Sequence, residues 1–227
     1  PFGVDGGFLC LAALAIVSGL AGLAIPAAYA ALPQTHAGPK GLPSGRGWVA
    51  LAAAFGFNAF ILAVWIYMEP LSRQSGHPAG TVGLALSLSL ASQVAGGTVA
   101  TVLAGRVSWF WALILSIGGM IGLLGLFAVL PAAPVFLAAS AAFGFLWIFA
   151  SPYLTPLAIE ADPSRRAAML GPGAALLGCS AGPFLASLAV SDTDVRGCLA
   201  LGAGLAALSM AIVAGLHLTR HGGAVSR

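Results

Sequence analysis

The chain has 227 residues, 59% hydrophobic and 7% charged, with a formal net charge of +3. An ordinary soluble domain carries about 25% charged residues, so a water-soluble globule, which could not cover its surface with so few, is excluded. The mean hydropathy of +1.01 points to a bilayer, where about 20 apolar residues span the hydrocarbon. The nine Lys and Arg residues form no cluster beyond Arg165-Arg166, which excludes a nucleic-acid partner. Cys10, Cys179 and Cys198 show no Cys-x-x-Cys spacing and no adjacent His, so neither a metal site nor a disulfide framework is expected. No cofactor is expected either.

Charges and Pro/Gly breaks predict seven apolar spans in chain order, at 8–31, 48–69, 80–104, 107–130, 135–158, 167–190 and 196–218. The fold class is therefore all-α, a polytopic membrane protein with seven transmembrane helices. The first span, within 1–31, ends in "AAYAAL", which resembles a signal-peptide cleavage site. Its leading stretch holds Asp5 and no Lys or Arg, however, and its apolar run is long for a signal peptide. Residues 32–47, "LPQTHAGPKGLPSGRG", are a polar linker. Spans two to seven form a unit over 48–218, with a short tail at 219–227.

Lys40, Arg46, Arg106, Arg165, Arg166, Arg220 and Arg227 fall on one side of these spans, and only Arg73 and Arg196 on the other. Positive residues concentrate on the cytoplasmic side, so the N-terminus is expected outside and the C-terminus in the cytoplasm. Short loops and an Ala/Gly-rich composition point to a bacterial inner membrane.

Span six contains "GCSAGP", residues 178–183. It fits both G-x-S-x-G, the serine nucleophile elbow, and G-x-x-x-G, a seam for close helix packing. A nucleophile needs a base about 3 Å away. Ser180 lies about 20 Å along its helix from the cytoplasmic face, and no His or Lys shares that depth. Gly171, Ala175, Gly178, Gly182 and Ala186 instead make a small-residue stripe on one helical face. Pro172 and Pro183 lack amide hydrogens and predict a bend. Packing and bending are the expected roles, and an enzyme is not expected.

Polar groups kept in hydrocarbon face a cavity or another helix. Asn58, Gln93 and Trp147 fall near mid-span, and Trp65 and Glu69 share a face with Asn58 at helical spacing. Asn58 and Gln93 either hydrogen-bond a substrate or bond neighbouring helices. Trp65 and Trp147 either wall a site or simply pack, and Tyr153, between Pro152 and Pro156, either lines the inner mouth or sits among headgroups. Glu69, at the outer end of its span just before Pro70, is either a solvated acid or, were the chain a proton-driven carrier, the nearest acid for coupling.

The linker, the apolar helix pairs and "EADPSRRAAMLGPGAALLGCSAGPFLASLAV" (160–190) together resemble the C-terminal portion of a major facilitator superfamily transporter. The matching positions are Pro163, Arg166, Gly171, Gly178, Gly182 and Pro183. The resemblance implies that 8–31 is the last helix of an N-terminal six-helix half missing from these residues, and that 48–218 is the second half. It also implies a small-molecule substrate, a central site near mid-membrane and alternating access, with the fragment inactive alone. The loop "LAGRVSWFW" keeps Gly105 and Arg106 of the family's loop signature but not its acid, leaving Arg106 as a gating charge or a plain anchor. "WIYMEP" (65–70) and "WIFASP" (147–152) echo each other at an offset of 82, as an inverted three-helix repeat would. A seven-helix receptor is the alternative, although span seven has no Lys for retinal, and an intramembrane serine hydrolase is more remote.

Overall fold

The computed structural model describes residues 41–220, together with Ala12, Ala13, Ile16, Val17 and Leu20, which are helical. The first forty residues form a separate unit. The leading span as a whole, most of the linker with Lys40, and the tail from 221 onward with Arg227 lie outside the described residues. Within 41–220 every regular element is helical.

The helices are α1 (Gly45–Trp65), α2 (Met68–Gln74), α3 (Ala79–Val102), α4 (Trp109–Ala128), α5 (Ala133–Ala150), α6 (Leu154–Ala161), α7 (Arg166–Ala189) and α8 (Gly197–Leu218), with a 3-10 turn at Ser151–Tyr153. Six stretches are long and apolar enough to cross a membrane, with α5 and α6 counting as one, consistent with an integral membrane protein. Starts are set by local chemistry. Ser44 caps α1 by accepting from the Gly47 N–H at 3.1 Å, and Pro134 occupies the first turn of α5, where a missing N–H does no harm.

Two predicted spans are interrupted. Span 48–69 is not one helix, because α1 stops at Trp65 and α2 resumes at Met68. Pro70 explains the break: it cannot donate to the Ile66 carbonyl and its ring crowds that oxygen. Pro152 acts in the same way on Ile148, giving the 3-10 turn after α5. By contrast, α7 runs helical through both Pro172 and Pro183.

The order long helix, break, short helix, helix, helix occurs twice. The second set of long helices starts 87 or 88 residues after the first (45 and 133, 79 and 166, 109 and 197). Packing follows the same rule. The two most extensive pairings are α1 on α7 and α3 on α5, followed by α1 on α8, α4 on α8 and α4 on α5. Exchanging α1 with α5, α3 with α7 and α4 with α8 converts each principal pairing into another of them or into itself. The tryptophan echo at 82 residues does not keep this register, so Trp65 and Trp147 are not equivalent positions.

The core lies on α1, where Phe57, Phe60 and Ile61 are fully buried, and on the inward faces of α4 and α5 at Ile117, Met120, Phe136 and Phe143. Close approach is achieved with glycine. A Cβ at Gly178 or Gly182 would strike the carbonyls of Phe55 or Ala59 in α1, and one at Gly96 would strike that of Phe145 in α5. The outward face of α7 remains bare, with Leu176, Leu177, Phe184 and Leu188 exposed.

Candidate functional site

Small side chains leave room between α1, α6 and α7. A cavity of about 260 Å³ is bounded there by Ala50, Ala54 and Asn58 of α1, by Ser151, Thr155 and Ala158 around the break, and by Ala168, Gly171 and Ala175 of α7. No charged residue lines it; its polar side chains are Asn58, Ser151 and Thr155. The Asn58 amide donates to the Ala54 carbonyl at 2.8 Å. Its Oδ1 is approached by the Cys179 thiol at 3.9 Å, a long and weak contact. Ser151 donates to the Trp147 carbonyl at 2.8 Å, beside the acceptor that Pro152 leaves unsatisfied.

The other sequence candidates do not gather around this cavity. Trp65 and Trp147 meet edge to face, with ring centroids 5.7 Å apart. The amide nitrogen of Gln93 is sealed from solvent and has no hydrogen-bond partner among the described residues, as is the case for the Tyr153 hydroxyl. Tyr153 lines a second cavity of about 290 Å³ with Trp109, Pro152 and Pro156, so the broken stretch 151–158 stands between two cavities. Glu69 is exposed and pairs with Arg73 one turn on. Ser180 lies mid-helix and donates to the Leu176 carbonyl at 3.1 Å, with no strand-to-turn-to-helix elbow around it.

The cavity lies toward the end of the bundle where Arg46, Arg106, Arg165, Arg166 and Arg220 collect. Arg46 donates to Thr219 at 2.7 Å and to the Leu216 carbonyl at 3.0 Å, joining the start of α1 to the end of α8. Glu160 accepts the Trp109 indole N–H at 2.9 Å and pairs with Arg220 at 3.0 Å, tying α4, α6 and α8. Arg106, in the turn after α3, donates to the Val102 carbonyl at the end of that helix, 2.7 Å away. Arg165 adopts a left-handed φ of 61° just before α7, with its N–H on the Asp162 carbonyl at 2.8 Å.

Asp162 is 2% exposed. Burial would raise its carboxyl pKa, but donation from Ser164, at 2.8 Å from the hydroxyl, and from the Ala167 N–H at 3.1 Å, with a contribution from the Ser44 backbone, outweighs burial and holds it below the ordinary value. At the other end, Asp194 accepts from Arg196 and from Gln74 at 2.9 Å, and these bonds hold its carboxyl well below the usual range. Among the described residues no group of three His, Cys, Asp or Glu side chains could hold a metal ion.

Sequence reasoning missed Thr155, Ser151, Glu160 and Asp162. For the cavity, the signal available was the recurrence of small residues at 50 and 54, at 155 and 158, and at 168, 171 and 175, one helical face each. No protein-family model, curated protein or solved structure matches the chain.

Proposed function

We propose that residues 45–218 are one six-helix half of a secondary transporter of the major facilitator type, moving a small molecule by alternating access. The observation that carries this reading is the doubled three-helix unit, whose principal pairings survive exchange of the two triplets. Inverted repeats of this kind place substrate between helices near mid-membrane. The cavity on α1, α6 and α7 lies between helices of both triplets, reaching from the arginine-rich end along α1 to Asn58, and the bare outward face of α7 offers a surface for a second six-helix body to close the path. The arginine-rich end is then cytoplasmic, and the bacterial inner membrane fits the short loops.

The cavity chemistry narrows the substrate to a small uncharged or weakly polar compound. It offers an amide and two hydroxyls among alanines and supplies no partner for a charge, which would be costly to hold there. The test is thiol accessibility. In the full-length protein with its native cysteines replaced, a reporter cysteine at Thr155 should react with a membrane-impermeant maleimide from the arginine-rich side. Transported compound should slow that reaction. Equal reactivity from both sides, unmoved by any compound, would refute the reading.

A further inference from the structure

The pairing of α4 with α8 lies on the exchange axis, so one groove occurs twice, once at each end of the bundle. At the arginine-rich end it is full: Phe110 stacks on His217 with centroids 3.8 Å apart, and Trp109 packs against the same ring at 5.8 Å. At the opposite end the equivalent groove is an open hollow of about 510 Å³. The difference is written in side-chain size. At the 88-residue spacing Gly125 stands where the buried Val213 does, and Ala128 where the buried Leu216 does.

This open hollow lies along two helices apolar enough to sit in a bilayer, so the medium expected to reach it is lipid. Its walls are apolar, but its rim is not. Arg196 and Asp194 sit there as an ion pair at 2.8 Å, each about half exposed. Asp194 is anchored further by Gln74, which fixes the pair at the end of the groove. We propose that the α4–α8 hollow seats one phospholipid of the phosphatidylethanolamine class. An acyl chain fills the space over Gly125 and Ala203, the phosphate sits on Arg196 and the ammonium on Asp194. The rim carries one charge of each sign, which matches a zwitterionic headgroup bearing a primary ammonium and gives an anionic lipid no net attraction. The inference rests only on the chain lying in a membrane and is independent of what, if anything, it transports.

The test uses the full-length protein in nanodiscs containing a diazirine-acyl phosphatidylethanolamine, with cross-linked peptides mapped by mass spectrometry. Cross-links concentrated at 124–128 and 197–203 are expected. They should fall about tenfold on competition with unlabelled phosphatidylethanolamine but not with phosphatidylglycerol or phosphatidylcholine. Ala203→Leu should abolish them by filling the hollow, and Arg196→Gln should weaken retention while leaving the hollow open. Cross-links spread evenly over all lipid-facing helices would overturn the proposal, as would equal competition by all three lipids. If Ala203→Leu fails to fold, the competition series decides alone.

Discussion

Gly182 of α7 lies so close to Ala59 of α1 that a Cβ on Gly182 would strike the Ala59 carbonyl. One turn away Gly178 stands in the same relation to Phe55, so the two helices touch backbone to backbone. Between them Ser180 faces outward. Gly182→Val should therefore destabilise the bundle by about 1–3 kcal/mol, the usual penalty for overpacking, while Ser180→Ala should leave stability within about 0.5 kcal/mol. Unfolding in a detergent series reads both. Equal effects would mean that the seam lies elsewhere.

Asp162 gives a pH dependence with a definite sign. Its carboxyl titrates lower in the folded chain than the ordinary value of 3.8. The stabilisation is thus present at neutral pH, down to about pH 4, and is lost as the pH falls through the folded-state value. Asp162→Ala should cost about 1–2 kcal/mol at pH 7, as loss of a capping acceptor does. Asp162→Asn should retain much of that and flatten the acid limb. Melting temperatures from pH 7 to pH 3 test this.

Glu160 should separate hydrogen bonding from charge. Glu160→Gln can still accept the Trp109 indole N–H, so it loses only the partly exposed pair with Arg220, worth about 0–1 kcal/mol. Glu160→Ala removes both and should cost about 1–2 kcal/mol more, because it strands a buried donor. A shift in Trp109 emission, seen in the alanine variant and absent in the glutamine variant, is the expected signature.

Asn58 and Gln93 should part company. Asn58 lines the cavity, so the proposed transporter reading requires that Asn58→Ala lower transport by the full-length protein at unchanged membrane abundance. Gln93 holds a sealed amide nitrogen with no partner among the described residues, a group whose burial costs about 1–3 kcal/mol. Gln93→Leu should raise stability by about 1 kcal/mol and leave transport intact. Loss of transport in Gln93→Leu would place the substrate against α3 instead.

The spans from 80 to 218 were legible because apolar length is a coarse, additive signal: predicted 167–190 stands against observed Arg166–Ala189, and predicted 196–218 against Gly197–Leu218. The break at Ile66 was less so, since Pro70 acts four residues back from where it appears. Asn58 could be read as a polar group at a cavity because hydrocarbon penalises it. The rest of the cavity could not, since it is made of alanine and glycine, and an empty volume has no letter of its own. The Trp65–Trp147 contact was hidden for another reason: matching six-letter strings reported similarity where the helices are out of register by about two turns.

The doubled packing has one further consequence. A scheme whose principal helix pairs survive exchange of its two triplets has no top or bottom of its own. Sidedness must come from what the scheme does not share between its ends, namely the arginines at one mouth and the filled or open α4–α8 groove. Shifting a few arginines between loops should therefore be able to turn the whole body over without disturbing how its helices pair.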